Sequence, residues 1–273
     1  MIPVTETDVA AYERDGVVCL RGAFDAVWVG ILCEAVERDL LKPGPHATNF
    51  AEGSSSGKFF GDMFMWRRDP DFRAAFFETG CAALAGEAMA AAEVRLFYDQ
   101  IFAKEPGTAR RTPWHQDYPY WPVSGDMFCT VYVALDAIDA ENGAVEYVAG
   151  SHRGLSDYRP APFRAGGEDA ARYAASALDA VPDIDALRGT LDIRRFDLAP
   201  GDAVVFHGRL VHGAGGNASA GRRRRTLALR FAGEDARWRE GVSTFRPLRK
   251  AGLRTGEPLS ARPDLFPLLW TRS

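Results

Sequence analysis

An imidazole and a carboxylate lie two residues apart in the segment TPWHQDYPYWP. Because residues i and i+2 of a β-strand point to the same face, this spacing would place the side chains of His115 and Asp117 next to each other. A later segment, APGDAVVFHGRLVHGAGGN, contains a turn signal, a short apolar strand and two histidines, His207 and His212. Two imidazoles and one carboxylate form the facial triad that holds non-haem Fe(II) and leaves positions open for O₂ and a cosubstrate. The spacing therefore predicts an iron site.

The main alternative is coincidence, because an HxD pair is common and His115 could simply hydrogen-bond a carboxylate in a loop. The order of the features favours the metal site. The HxD pair is followed by about 95 residues of strand-rich chain, a Pro-Gly-Asp turn, a strand, the second histidine and a basic residue on the next strand. The chain has only five histidines, so the candidates are few. His46, in a loop rich in Gly and Pro, is predicted to be exposed to solvent.

The segments that would position these residues change character near residue 94. Before that point, apolar residues recur at helical spacing, and residues 72–92 are Ala-rich and predicted to be helical. After it, short apolar runs alternate with turns, which predicts a β-sandwich or barrel. Residues 154–189 form a long insertion that should contain a helix and act as a lid. We interpret residues 1–273 as one domain with a β core over about 94–232.

The composition is that of an ordinary globular protein, with 47% hydrophobic and 26% charged residues. A formal net charge of -4 argues against a dedicated nucleic-acid binder. The sequence contains no uncharged apolar run of about 18 residues, so we expect no membrane-spanning helix. The four cysteines show no CxxC spacing, and no signal peptide is visible at the start. We therefore expect a cytoplasmic protein with a small-molecule substrate, no nucleic-acid or membrane partner, and a monomeric or homodimeric state.

Four stretches together resemble the phytanoyl-CoA dioxygenase family: YERDGVVCLRGAF, IFAKEPGTARRTPWHQDYPYWP, ALDAIDAENGAVEYVAGSHRG and PGDAVVFHGRLVHGAGGNASAGRRRRTLALRF. The resemblance covers about residues 10–232. It implies a mainly β fold with flanking helices, in which N-terminal helices pack on one sheet of a double-stranded β-helix (jelly-roll, cupin-like) core. It implies Fe(II)- and 2-oxoglutarate-dependent hydroxylation of a C–H bond by O₂, with release of succinate and CO₂. The family pattern places iron on His115, Asp117 and His212, and leaves His207 with a structural role.

The resemblance also implies an arginine, on the strand after the second histidine, that binds the distal carboxylate of 2-oxoglutarate. A guanidinium offers a planar, bidentate fork for such a group. The run of four arginines makes the assignment ambiguous, and we choose Arg224. If the strand alternates, Arg224 shares a face with Thr226 and Ala228, whose small side chains suit a pocket wall. Arg223 and Arg225 are the alternatives.

Further cosubstrate contacts are predicted around this arginine. Lys104 matches a family lysine that approaches 2-oxoglutarate, although an ordinary surface lysine would look the same. Tyr132 matches an aromatic position beside the cosubstrate, and Thr130 and Gln100 are predicted to reach the same pocket. Family members often have a serine two residues after the second histidine, where this chain has Ala214. Another group, Thr130 or Tyr132, would then have to supply that hydrogen bond.

The sequence says less about the substrate. Aromatic residues and one arginine are predicted to line its pocket: Tyr120, Trp121, Arg230, Trp66 and Phe60. Packing in the core is an equal alternative for Trp66 and Phe60. The carboxylate of Asp117 argues against a halogenase, which needs that position for halide. Hydroxylation is therefore the expected outcome, and desaturation, cyclisation and epimerisation are the alternatives. The alternative function is a cupin-like metal-binding isomerase, or a ligand-binding protein without oxygenase activity, which would have little need for the arginine after His212.

Overall fold

The structure, a computed structural model, describes residues 2–52, 57–154, 157–163, 167–239, 246–248 and 250–272. Its α-helices are α1 (Glu6–Asp15), α2 (Ala26–Leu41), α3 (Pro70–Glu78), α4 (Cys81–Ala88) and α5 (Gly167–Ala174). Its strands are β1 (Val17–Leu20), β2 (Thr48–Asn49), β3 (Phe59–Met63), β4 (Glu93–Lys104), β5 (Thr112–His115), β6 (Val123–Ser124), β7 (Phe128–Ala134), β8 (Val145–Val148), β9 (Ile193–Arg195), β10 (Ala203–His207), β11 (His212–Ala214), β12 (Arg224–Gly233), β13 (Arg237–Trp238) and β14 (Leu268–Thr271). Short 3₁₀ helices cover Met65–Arg67, Tyr118–Tyr120, Ser151–Arg153, Arg246–Leu248 and Leu259–Ala261.

Two antiparallel sheets form the β core. The larger sheet has the order β1-β10-β7-β12-β4-β3-β2, and β14 pairs with β4 beside this path. The smaller sheet has the order β5-β11-β8-β9, and β13 and β6 form a separate ribbon. Apolar side chains from both sheets pack together in one buried cluster between them. This is a jelly-roll arrangement, so the predicted mainly β fold with a double-stranded β-helix core is confirmed.

Alternation along β12 sorts its side chains into two layers. Leu227 and Leu229 point outward into the large apolar cluster that includes buried residues of α1 to α4. Ala228 points inward, into the cluster between the sheets. The N-terminal helices therefore cover the outer face of the larger sheet, as predicted, and leave the inner face for a site.

The helix predicted over residues 72–92 is two helices. Asp69 caps the first, α3, by accepting hydrogen bonds from the backbone N–H groups of Asp71 and Phe72. Gly80 then adopts a left-handed conformation with φ of 69°, which breaks the chain before α4 begins. The Ala-rich composition continues across residues 72–92, so the sequence pattern did not predict this break, which depends on the left-handed conformation of Gly80.

The Pro-Gly-Asp turn before β10 fastens the edge of the larger sheet. Gly201 has φ of 90°, and a Cβ added there would lie 2.3 Å from the carbonyl oxygen of Phe24. The carboxylate of Asp202 accepts hydrogen bonds from the backbone N–H of Gly22 at 2.8 Å and from Arg21 at 2.7 Å. The turn thereby joins the start of β10 to the end of β1 and fixes the strand that leads toward His212.

The insertion contains the predicted helix, α5. Residues 155–156 and 164–166 of the insertion, and residues 53–56 of the Gly- and Ser-rich loop, lie outside the described residues. Each helix within the described ranges is too short or too polar to cross a membrane.

Candidate active site

The two histidines and the aspartate meet where β5 and β11 pair. His115 is the last residue of β5 and His212 is the first of β11, and the two are direct partners in the antiparallel register. Asp117 does not lie on a strand, as the i, i+2 argument assumed. Its backbone is in the helical region and it precedes the 3₁₀ helix Tyr118–Tyr120. The chain turns after His115, and this turn, rather than strand alternation, brings the carboxylate beside the imidazole.

The three side chains have the geometry of a metal-binding set. One ligand atom from each lies within 4.8 Å of the others. His115 Nε2 is 3.5 Å from Asp117 Oδ1. The opposite ring nitrogens are held by backbone carbonyls, with His115 Nδ1 2.8 Å from the oxygen of Pro113 and His212 Nδ1 2.9 Å from that of Leu210. Such contacts fix each Nδ1 as a donor, which leaves Nε2 as the ring nitrogen that could bind a metal.

The electrostatic surroundings favour the ligand forms of these groups. Burial, and then the neighbouring His115, lowers the pKa of His212 to about 3, so its imidazole is neutral. Burial opposes ionisation of Asp117, but the guanidinium of Arg230 and the two histidines lower its pKa well below the ordinary value. The second oxygen of Asp117 lies 3.4 Å from both Thr130 Oγ1 and Arg230 Nε. The site therefore places a neutral His212 imidazole beside an ionised Asp117 carboxylate that Thr130 and Arg230 hold in place.

One of the four consecutive arginines differs from the rest. Three pair with acidic side chains: Arg222 with Asp139 and Glu141, Arg223 with Glu37 and Glu105, and Arg225 with Asp136 and Glu37. Arg224 is 2% exposed and lines the cavity beside the triad. It donates to the carbonyl of Gly143, and its Nε has no partner among the described residues. The structure thus separates Arg224 from the alternatives Arg223 and Arg225.

Of the other four residues predicted to bind the cosubstrate, two line the cavity and two do not. Tyr132 and Gln100 line the cavity, and the buried Tyr132 hydroxyl has no hydrogen-bond partner in the described part of the chain. Lys104 does not line it: its ammonium donates to the carbonyl of Gly215 at 2.6 Å and is covered by the ring of Phe59. Thr130 does not line it either, because its hydroxyl is directed to Asp117.

The cavity has a volume of about 580 Å³. It is lined by the triad, by Arg224 and Arg230, and by many aromatic side chains. Volumes of this size hold drug-sized ligands. The predicted substrate residues Tyr120, Trp121 and Arg230 are among the lining residues.

A family model for phytanoyl-CoA dioxygenase (PhyH) matches residues 12–225. The chain belongs to the phytanoyl-CoA dioxygenase family. A curated relative is the L-proline trans-4-hydroxylase of Streptomyces griseoviridis, 31% identical over 151 residues, which are 52% of this chain and 56% of that enzyme. The chain thus spans about half the length of this relative.

Two solved structures extend the comparison to nearly the whole chain. The non-heme alpha ketoglutarate dependent epimerase SnoN from nogalamycin biosynthesis has a TM-score of 0.76 and 26% identity, with 98% of this chain and 96% of that chain covered. The carbocyclase SnoK from the same biosynthesis has a TM-score of 0.77 and 23% identity, with 97% and 96% covered, and shows the shared fold. Family and fold place this phytanoyl-CoA dioxygenase family member among the iron- and 2-oxoglutarate-dependent oxygenases.

Two of the predicted substrate residues do not reach the cavity of this family member. Trp66 packs in the core outside the larger sheet, and its backbone N–H donates to Asp99 Oδ2 at 2.9 Å. Phe60 points to the same outer side, whereas its strand neighbours Gly61 and Met63 line the cavity. The prediction was wrong for both, because a strand as apolar as FFGDM does not reveal which of its faces is the inner one.

Several lining residues were not predicted. Tyr98 precedes Gln100 by two positions on β4, so strand alternation from Gln100 would have found it. Phe163 and Tyr173 come from the insertion, and the Phe163 ring lies 4.7 Å from that of His115. No periodicity marks these two. His46 also lines the cavity and is partly buried, with a pKa lowered by burial, so the prediction of a solvent-exposed histidine was wrong.

Tyr120 and Gln116 attach the insertion to the turn that carries Asp117, and the Gln116 side chain accepts from the backbone N–H of Tyr158 at 2.8 Å. The Tyr120 hydroxyl donates to the carbonyl of Ala161 at 2.6 Å and accepts from the backbone N–H of the same residue at 2.8 Å. Its ring stacks near Phe163 and meets Tyr173 edge-on. Aromatic side chains therefore join the insertion to the turn that carries Asp117.

Proposed function

We propose that the protein is an Fe(II)- and 2-oxoglutarate-dependent dioxygenase that hydroxylates a C–H bond of a small molecule, releasing succinate and CO₂. One observation carries the proposal. A two-histidine, one-carboxylate set lines the same cavity as a buried guanidinium, Arg224, whose Nε has no hydrogen-bond partner among the described residues. A metal-binding isomerase or ligand-binding protein has no evident need for that second feature.

The donor set fits iron. Two imidazoles offer their Nε2 atoms, one carboxylate lies beside them, and all three side chains are buried. This set suits non-haem Fe(II) with open positions. The carbonyls of Pro113 and Leu210 orient the two imidazole rings. Thr130 and Arg230 both contact Oδ2 of Asp117, which leaves Oδ1 for the metal. We infer that His115, Asp117 and His212 are the metal ligands.

The surroundings of Arg224 fit a dicarboxylate. Its buried Nε and the buried hydroxyl of Tyr132 are both without partners among the described residues, and both residues line the cavity. We infer that these two groups bind the distal carboxylate of 2-oxoglutarate. Ala214 lines the cavity but has no hydroxyl to offer, so Tyr132 takes over that donation. Gln100 lies in the same wall and completes the proposed cosubstrate pocket.

Iron held there would couple the decarboxylation of 2-oxoglutarate by O₂ to oxidation of a substrate C–H bond. The chain's own residues do the rest. Arg224 fixes the cosubstrate, Arg230 keeps the Asp117 carboxylate ionised and oriented, and Tyr120, Trp121 and the insertion aromatics Phe163 and Tyr173 exclude water from the substrate. The carboxylate of Asp117 occupies the position that halide would need, which favours hydroxylation over halogenation.

The proposal is tested by adding Fe(II) and 2-oxoglutarate to the purified protein in air and measuring succinate. The wild type should form succinate, and Asp117→Ala should not, because the carboxylate ligand is gone. Arg223→Gln is the matched control, since it removes one charge at a residue that pairs with Glu37 and Glu105. Absence of succinate from the wild type, with no 2-oxoglutarate binding, would favour the metal-binding alternative without oxygenase activity.

Epimerisation is a second candidate outcome of the same chemistry, because the epimerase SnoN is similar to this chain over almost its whole length. Once a substrate is found, the composition of its product separates the possibilities. Hydroxylation adds one oxygen atom, epimerisation leaves the composition unchanged, and cyclisation removes two hydrogen atoms. Mass therefore separates hydroxylation from cyclisation, and a changed chromatographic retention at unchanged mass identifies epimerisation.

A further inference from the structure

Arg230 is the second guanidinium of the cavity, and its position is unusual. It is 4% exposed and lies on the inner face of β12, six residues after Arg224. Its Nε is 3.4 Å from the second oxygen of Asp117, and its guanidinium lies over the ring of Tyr98 at 4.6 Å from the centroid. These two contacts fix the plane of the group beside the metal-binding carboxylate.

One edge of this fixed guanidinium is free. The Nη1 atom of Arg230 is buried and has no hydrogen-bond partner among the residues that the structure describes. In the planar fork of an arginine, Nη1 points away from the Nε–H edge, so it cannot share the bond to Asp117. A buried, unpaired donor of a charged group is costly, unless a ligand supplies the acceptor.

The charges that line the cavity indicate the charge of the ligand group that could accept this hydrogen bond. If the proposed function holds, the lining carries Fe(II), ionised Asp117, Arg224 and dianionic 2-oxoglutarate in addition to Arg230. Summed over the described lining residues with these groups bound, the formal charges leave one net positive charge, and Arg224 is already assigned to the cosubstrate. The rest of the wall is largely apolar or aromatic, including Phe50, Met63 and Phe102.

We propose that the substrate is a monoanionic acid with an apolar or aromatic body, and that Arg230 binds its acid group through Nη1. The acid then lies directly beside the metal ligand Asp117. The C–H bonds near the acid group, rather than those at the far end of the body, are the ones held closest to the metal. Arg230 is in this view the residue that selects both the substrate class and the position of attack.

The test uses matched acids and amides of the same shape: 2-naphthoate with 2-naphthamide, and decanoate with decanamide. Each is titrated calorimetrically into protein loaded with Fe(II) and saturating 2-oxoglutarate under argon, so that no turnover occurs and Arg224 is occupied. At least one acid should bind about tenfold or more tighter than its amide, the value of a charge-assisted hydrogen bond to a buried group. The two bodies distinguish an aromatic from an aliphatic substrate.

Variants assign the preference to Arg230. Arg230→Gln should lose it, Arg230→Lys should keep part of it because the charge remains, and the control Arg223→Gln should keep it in full. Iron content is measured in each variant, and Arg230→Lys decides the question if the Gln variant loses iron.

Two results would overturn the inference: no acid preference for either pair in the wild type, or the same preference in Arg230→Gln. Failure of the proposed function is a separate result, seen as absence of 2-oxoglutarate binding or succinate formation in the wild type without any probe.

Discussion

Replacing Arg224 by glutamine should weaken 2-oxoglutarate binding far more than any other change in the arginine run. Arg224 is the one arginine of the four that lines the cavity, and it is almost fully buried. A hydrogen bond to a charged partner contributes about 1.5–3 kcal/mol, and a bidentate pair makes two. Taking about 3 kcal/mol for the pair, the dissociation constant should rise roughly 100-fold.

Two assays check this magnitude independently. The first is the KM for 2-oxoglutarate in succinate formation. The second is thermal unfolding with and without 2-oxoglutarate, because a ligand that binds only the folded state raises its stability in proportion to the logarithm of ligand concentration over Kd. The cosubstrate should raise the melting temperature of the wild type and have little effect on Arg224→Gln. Arg224→Lys should lie between the two, because an ammonium keeps the charge without the planar fork.

Arg223→Gln and Arg225→Gln are the controls for charge. Both arginines pair with partly exposed acids, and such pairs contribute about 0–1 kcal/mol to stability. Their KM for 2-oxoglutarate should therefore stay near the wild-type value. An unchanged KM in Arg224→Gln, or an equal rise in either control, would refute the assignment of the cosubstrate carboxylate to Arg224.

Three further changes give distinct results. Tyr132→Phe removes a hydroxyl proposed to donate to the cosubstrate, so KM for 2-oxoglutarate should rise about fivefold, for a neutral hydrogen bond of about 1 kcal/mol, with the melting temperature nearly unchanged. Trp66→Ala should destabilise the fold by about 3–5 kcal/mol in denaturant unfolding and leave KM unchanged, which would separate core packing from a substrate role. Burial raises the pKa of Asp99 from 3.8 to about 7, so the folded state keeps a proton that the unfolded state releases, and stability should fall as pH rises from about 4 to about 7. Asp99→Asn should remove this slope in thermal melts, and an unaltered slope would assign it to other groups.

The order of motifs along the sequence predicted which residues could form the site. It did not predict to which face of a strand each side chain points. The HxD pair and the two later histidines limited the ligands to a few residues, but spacing could not choose between His207 and His212. Alternation on β10 favours His212: Phe206 lines the cavity, so His207 points to the opposite face, where its Nδ1 accepts from the backbone N–H of Arg209. Which face of β10 is the inner one depends on how the strand pairs with its neighbours, and the sequence of β10 alone does not show this.

The cavity-lining residues of the insertion show a different limit. Phe163 and Tyr173 lie in the insertion, where neither a helical nor a strand period links them to the triad. They are held at the cavity by hydrogen bonds to distant residues, with the Tyr120 hydroxyl bound to the backbone of Ala161 and Arg110 donating to the carbonyl of Phe163. A contact between side chain and distant backbone leaves no trace in local sequence patterns, and so the insertion could be predicted as a lid but its lining residues could not. The interpretation of residues 1–273 as a single domain stays a prediction.

The run of four arginines shows how packing far from the site fixes the site itself. Leu227 and Leu229 must face the helices to bury their side chains, and alternation along β12 then carries the inward direction back to Arg224. The three other arginines find carboxylates, whereas no ion pair of Arg224 is seen within the described ranges. A buried guanidinium without a carboxylate is strongly unfavourable on its own. The fold therefore tolerates Arg224 only at a cost in stability that an anionic ligand offsets, which is why the cosubstrate should stabilise the protein as well as serve the reaction.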